Sequence, residues 1–394
     1  MPSQDPMNPA VMRASTAPAG GQPRIDDVLL RFPEEADYYS NLIDWNDPDD
    51  PLRLLHEPAN RLDGRAGAIP PHDDMRDTVP GCQHAYGSSA LLNIAPEWLT
   101  DSANLEPGLA YIASHPEINH VLLSGFDSFG LSLQQLTILL GRLRAISHVQ
   151  IIRLTTELPV RQPRRIYENE ALLELLRAYS TPERRIYVTV HITHPRELTA
   201  EAKTSLESLQ QAGVIVVNRT LLMRGINDDA VVMGELLDKL VWAGVAPYYL
   251  TMADPNGVHE THALPLVRAY ELVEEAKALT SGLGKRVRLS MNHASGIVEV
   301  LAVEDGRAYL KLYRAGDARQ GRFLVRDCGP ELTWFDELHE AEAADAAAAE
   351  SAAGAVLDAG GDIWTEPVPD LRIEWKPGER SEEIVSINMM PIGD

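Results

Sequence analysis

Along residues 90–283 the chain alternates short apolar runs with longer segments that carry apolar residues at three-to-four spacing. The runs "ALLNI", "HVLLSGFD", "VQIIRLTTE", "RIYVTVHI", "VIVVNRTLL" and "APYYLTMAD" predict strands. The segments between them, among them "SLQQLTILLGRLRAI", "NEALLELLRAYS", "TAEAKTSLESLQQAG" and "AVVMGELLDKLVWAG", predict helices. Strands and helices in regular succession are the mark of parallel strands joined by crossover helices, and six such units fit one open or partial barrel of α/β class. The strands are apolar almost throughout, as expected when both faces of a sheet are covered. Gly213 and Gly244 stand where a left-handed residue ends a helix.

After Gly282 and Gly284 the pattern changes. "RVRLSMNHASGIVEVLAVEDGRAYLKLYR" alternates apolar and polar residues around the turn "EDG", which predicts an antiparallel hairpin unit closing the core. The organisation that follows is a disordered tail over 1–25, an N-terminal extension over 26–89, the α/β core over 90–285 and the antiparallel unit over 286–335. An acidic, Ala-rich linker over 336–362 and a C-terminal segment over 363–394 complete it.

Composition narrows the function classes. With 35 basic and 58 acidic residues the formal charge is −23, which repels nucleic acid and anionic lipid over most of the surface. No apolar run reaches the roughly 20 residues of a membrane span, and the tail lacks the apolar segment of a signal peptide, so the reading is of a soluble, cytoplasmic protein. Two cysteines, Cys82 and Cys328, exclude a disulfide framework and a metal site built from cysteine alone within one chain.

In parallel α/β architectures ligands gather at the C-terminal ends of the strands. Those ends bring Ser124, Gly125 and Asp127, then Arg153 and Glu157, His191 and His194, Asn218 and Arg219, and Tyr249 and Asp254. His293 follows in the antiparallel unit. The candidate catalytic residues are His191 or His194 as acid/base with Asp127 as partner, chosen by position. A spacing of three puts the two histidines on opposite strand faces, so one in the barrel and one capping the next helix is the plainer reading. "HETH" from His259 to His262 lacks a third metal ligand and reads as a surface loop. No phosphate loop, nucleophile elbow or dinucleotide fingerprint is present in the sequence.

Several collinear stretches between residues 36 and 338 resemble the lysine 2,3-aminomutase family of radical S-adenosylmethionine (SAM) enzymes. They include "ADYYSNLIDWNDPDDPLR", "DTVPGCQHAYGSSALL", "HPEINHVLLSGFDSFGLS", "LLRAYSTPERRIYVTVHITHPRELT", "GVIVVNRTLLMRGINDD", "GVAPYY" and "GRAYLKLYRAGDARQGRF". The resemblance implies a partial (β/α)6 barrel of radical SAM type. It also implies a four-iron, four-sulfur cluster, SAM and pyridoxal phosphate (PLP), used to move an amino group between the α and β carbons of an amino acid.

The sequence departs from that pattern at three binding functions. The family ligates its cluster through a C-x3-C-x2-C loop after the first barrel strand, followed by an Arg-rich run. Here the strand and loop read "ALLNIAPEWLTDSANLEP". The SAM-contacting "GGD" or "GGE" becomes Gly125-Phe126-Asp127, and a family Gln becomes Arg219. The PLP lysine of a His-x-Ser/Thr-Gly-Lys-Ile/Val-Glu pattern becomes Ile297 in "HASGIVEV", and Ile cannot form a Schiff base. His191, His194, Asn218, Arg224, Asn227, Asp228 and Tyr249 match family positions. The expectation is a family member without cofactor or metal: a pseudoenzyme that binds an amino-acid-like ligand or a protein partner. Two alternatives stand beside it: a repurposed enzyme acting on an amino acid without radical chemistry, and a non-catalytic subunit beside an active paralogue. Homo-oligomers or hetero-oligomers are expected partners; nucleic acid and membrane are not.

Overall fold

The computed structural model describes residues 38–56, 78–85, 87–94, 104–255, 260–293, 296–313 and 322–340. The segments expected from sequence as a disordered tail, an acidic linker and a C-terminal segment lie outside the described residues, apart from 336–340, as do most of the loop after the first predicted strand and His259.

A short helix, α1 (Pro51–His56), precedes a hairpin of β1 (Cys82–Ala85) and β2 (Ser89–Asn93). Six crossovers then carry the chain along one sheet. Helix α2 (Glu106–Ser114) leads to β3 (His120–Ser124), and α3 (Leu133–Ala145) to β4 (Ile151–Thr156). Three helices, α4 (Leu158–Arg161), α5 (Arg164–Tyr167) and α6 (Glu170–Tyr179), lead to β5 (Ile186–Val190). Then α7 (Ala200–Gln211) leads to β6 (Ile215–Leu222), α8 (Ala230–Trp242) to β7 (Ala246–Met252), and α9 (Leu266–Leu279) to β8 (Arg288–His293). Strands β2 to β8 pair in parallel, each with the next. Antiparallel strands β9 (Gly296–Glu304), β10 (Arg307–Tyr313), β11 (Arg322–Asp327) and β12 (His339–Glu340) extend the same sheet. Strand order follows the chain from β1 to β12, so the described sheet is open, with β1 and β12 at its edges.

One element differs from the sequence expectation. Strand β8 alternates polar and apolar residues like its antiparallel successors, yet it follows crossover helix α9 and pairs in parallel with β7. Period-two alternation reports one covered face and one open face, and it carries no direction. The antiparallel hairpin begins at β9: Asp305 (φ 49°) and Gly306 (φ 73°) form its two-residue loop, and Glu304 faces Arg307. Positive φ at both central residues is the primed turn that "DG" favours.

Helix boundaries follow local chemistry. Ser132 and Gln135 form a reciprocal capping box at α3, and Thr199 and Asp229 cap α7 and α8. Gly213 and Gly244 end α7 and α8 with φ of 80° and 70°. The main core lies between helices and sheet, and fully buried Leu136, Leu140, Leu206, Leu240, Leu272, Ile152, Val188 and Leu250 are among its members. A second, smaller core joins Tyr39, Ile43, Leu52 and Leu55 to Met223 and Ile226 just past β6, which docks the N-terminal segment at the strands' C-terminal ends.

Candidate ligand site

The half of the sheet that faces away from the helices is more polar than the strand sequences suggest. Along β4, Ile152, Leu154 and Thr156 are buried, while Arg153 and Thr155 are half-buried on the opposite face. Arg153 and Thr155 of β4, Thr189 of β5, Arg219 of β6 and Tyr248 and Tyr249 of β7 line a cavity of about 50 Å³, closed by Ser290, Asn292 and Ile297. Register brings these positions side by side: Thr155 pairs with Thr189, Arg219 with Tyr249 and Asn292 with Ile297.

Two consecutive tyrosines reach one cavity because the β6–β7 ladder is irregular. Asn218 pairs with Pro247 and Arg219 with Tyr249, so Tyr248 is the extra residue. Pro247 has no N–H to give to the ladder, and a bulge re-aims the side chains that follow it. The two rings meet edge to face, 4.4 Å between centroids. Arg219 Nε donates to Thr251 Oγ1 at 3.0 Å, which fixes the guanidinium plane.

Of the residues expected from sequence, Arg153, Arg219 and Tyr249 line this cavity, with Ile297 beside them. His191 adjoins the same region. It is buried at 5% exposure, and its pKa is pushed down to about 3 by burial, with Arg219 and Arg153 adding to the effect. It therefore stays neutral at ordinary pH and holds no proton to donate from an imidazolium. His120, at the start of β3, is likewise pushed down to about 4 by burial and Arg153.

The remaining expected residues are spent on local structure. Asp127 is fully engaged: it accepts from Phe129 N at 2.9 Å, Glu157 N at 2.9 Å and Thr156 Oγ1 at 3.0 Å, tying the ends of β3 and β4 together. None of these bonds links it to a histidine. His194 caps the turn at Pro195–Glu197, with Arg196 N donating to its Nδ1 at 3.2 Å, and burial lowers its pKa to about 4. Asn218 accepts from Ile192 N at 2.8 Å and donates to Ile192 O at 3.0 Å, clamping the exit of β5 to β6. His293 Nε2 meets Asp336 Oδ1 at 2.8 Å and packs on Phe335. Ser124 O accepts from Ile94 N, Gly125 turns the chain with φ 88°, and Asp254 is exposed beyond β7. Phe126 is buried in the main core, where its ring would meet any Cβ at Gly130. Of the other family-matching positions, Asn227 bridges Met223 N, Thr193 O and Leu221 O, and Arg224 N donates to His262 O at 2.8 Å while His262 Nδ1 lies 2.8 Å from Arg224 O.

Sequence reasoning missed a buried ionic chain at the strands' C-terminal ends. Glu157 pairs with Arg161 (Nε–Oε2 3.5 Å), and Arg161 lies 3.8 Å from the centre of the Tyr39 ring. The Tyr39 hydroxyl donates to Glu197 Oε1 at 3.0 Å, and Glu197 Oε2 accepts from Thr193 N and His194 N. Burial pushes the Glu157 carboxyl up to about 8. The only signal for this chain was the charge at Glu157 and Arg161 in otherwise apolar surroundings, which invites a buried partner.

Among the described residues no group of three or more His, Cys, Asp or Glu side chains is arranged to hold a metal ion. No helix among them is long and apolar enough to cross a membrane.

No family model matches the sequence. A protein of Aquifex aeolicus (strain VF5), provisionally named L-lysine 2,3-aminomutase, is 34% identical over 325 residues, covering 77% of this chain and 86% of the relative. L-lysine 2,3-aminomutase of Clostridium subterminale is 34% identical over 266 residues, 62% of each chain. That of Acetoanaerobium sticklandii is 32% identical over 266 residues, 62% of this chain and 63% of the relative. By this similarity the chain belongs to the lysine 2,3-aminomutase family.

Proposed function

We propose that the sheet is the partial barrel of this family, and that the protein binds a small amino-acid-like ligand in the Arg153–Arg219 cavity without radical SAM or PLP chemistry. The observation that carries this reading is the chemistry of the donor sets. A site-differentiated cluster in this family needs three thiolates, and the chain has two cysteines. Cys82 is fully buried on β1 and Cys328 is buried just past β11. The residues present do not fit the cluster.

The PLP site fits no better. Ile297 lines the cavity at the position of the family's lysine, and no lysine lines it among the described residues. A volume of about 50 Å³ in a measure where one water takes about 10–15 Å³ admits a few waters or one small polar group, and not a pyridine ring with its phosphate. The retained polar wall suits recognition of a small charged group.

Thermal-shift measurements on the full chain with L-lysine, L-glutamate, ornithine, PLP and SAM test this reading. A saturable shift with an amino acid, and none with PLP or SAM, is the expected result. A specific lysine adduct after PLP and borohydride would contradict it.

A further inference from the structure

The segment that precedes the sheet is packed apart from the main core. Residues 38–56 bury Tyr39, Ile43, Leu52 and Leu55 against Met223 and Ile226, in a cluster that shares no buried member with the main core among the described residues. Leu221 packs against it too, two residues beyond Arg219 and on the same strand face. The segment therefore lies at the C-terminal ends of the strands, where parallel α/β sheets take their ligands. A small separate cluster opens without the large one, because local opening costs only the contacts that it breaks.

Two arginines supply the polar catches. Arg161, past β4, stacks on Tyr39 and donates to Leu55 O. Arg196, past β5, pairs with Asp50 at 2.6 Å and donates to Leu42 O at 2.6 Å. The Asp50 carboxylate also accepts from Leu52 N and Arg53 N, so it ties the start of α1 to the turn that carries Arg196.

A histidine stands beside each arginine. His194 Nδ1 accepts from Arg196 N at 3.2 Å, which requires a neutral ring with its proton on Nε2. A second proton occupies Nδ1, removes that acceptor and sets an imidazolium beside Arg196. The charged groups that act on His194 are Arg196, Asp50, Glu235 and Lys239. His56 stacks on the Tyr39 ring with 6.0 Å between centroids, and Trp45 meets it edge-on at 5.8 Å. Arg161 lies 3.8 Å from the centre of the same Tyr39 ring, with Glu157 and Glu197 facing it, so a protonated His56 is a second cation on one tyrosine. Burial and then Arg161 hold the His56 imidazole below its ordinary pKa.

We infer that residues 38–56 form a strap over the ends of β4, β5 and β6 that acid releases as a unit, opening that end of the sheet. The first catch is the His194, Arg196 and Asp50 relay, and the second is the His56, Tyr39 and Arg161 stack. The strap stands whether or not the cavity binds an amino acid.

Hydrogen exchange of the full chain, read by mass spectrometry at pH 7 and pH 5 and corrected for intrinsic exchange rates, tests the strap. With the His194 pKa moving from about 4 under the closed strap to 6.5 in the open form, the open population rises about twentyfold between pH 7 and pH 5. Peptides within 38–56 should lose protection by that factor or more, while peptides of β4, β5 and β6 keep theirs and provide the control on folding. His194→Gln takes up no proton and should remove most of the response; His56→Gln should remove a further part. Asp50→Asn should open the strap already at pH 7. Peptides of 38–56 that exchange together with those of β4, β5 and β6 at both pH values, or a His194→Gln chain with the full response of the parent, would overturn the strap.

Discussion

The Arg161 guanidinium stacks 3.8 Å from the ring centre of Tyr39, joining the end of β4 to a segment far upstream in the chain. On its other side Arg161 pairs with buried Glu157, and its Nη2 donates to Leu55 O at 3.3 Å. The N-terminal segment is thus fastened to the sheet by an ionic group as well as by the Tyr39, Leu52 and Leu55 core.

Removing Arg161 should be costly. Arg161→Met removes the guanidinium stacked on Tyr39 and leaves Glu157 and Leu55 O without that donor, a loss of about 2–4 kcal/mol. Tyr39→Phe keeps the ring and removes only the hydroxyl bonded to Glu197, for about 1–2 kcal/mol. Urea unfolding of the two variants checks the ranking, and equal losses would show that the ring stack is not the main tie.

The acid limb of stability should be steep. His191 is held at about 3, and His120 and His194 at about 4, against an unfolded value of 6.5. Between pH 6.5 and 4 the unfolded chain takes up protons that the folded chain refuses, so stability falls as pH falls. Each histidine contributes up to about 1.4 kcal/mol per pH unit in that window. His191→Gln should flatten the limb, measured by denaturant midpoints from pH 4 to 7.

Glu157 acts in the opposite sense. Its folded pKa of about 8 lies above the ordinary glutamate value of 4.5, so between those values the unfolded chain ionises while the folded chain keeps its proton, and stability falls as pH rises. Above pH 6.5 the three histidine slopes fade and the falling slope of Glu157 remains, in the same sense as that of buried Asp127, whose carboxyl is also pushed up by burial. Maximum stability near pH 6.5 is therefore expected, with a decline of up to about 1.4 kcal/mol per pH unit toward pH 8 that Glu157→Gln reduces. A rise in stability from pH 6.5 to 8 in the parent chain would contradict this assignment.

Introducing a lysine at position 297 should not create a PLP site. Ile297→Lys places an ammonium beside Arg153 and Arg219 in a cavity of about 50 Å³, with a loss of about 1–3 kcal/mol. Mass spectrometry after PLP and borohydride should find no adduct at residue 297; a specific adduct there would mean that the cavity admits the cofactor.

Much of the fold was legible in sequence because its signals are local. Helix periodicity, the stops at Gly213 and Gly244 and the Asp305–Gly306 turn each depend on a few neighbouring residues. The direction of β8 was not legible, since alternation is the same in parallel and antiparallel strands. Within the site, Arg153, Arg219 and Tyr249 were found by their place near strand ends, but their convergence with Thr189 depends on register across four strands. His194, Asp127 and Asn218 also sit at strand ends, and their side chains are consumed by caps and loop clamps that charge and position alone do not reveal. The Tyr39–Arg161 tie joins distant segments, and no local pattern encodes it.

The most direct test of the central claim is anaerobic reconstitution of the full chain with iron and sulfide, followed by iron and sulfide analysis and visible absorption. With only Cys82 and Cys328 available as thiolates, both buried, the result expected is no stoichiometric cluster and no SAM cleavage under reduction. A four-iron cluster in stoichiometric amount that cleaves SAM would contradict the reading of this protein as a non-radical member of its family.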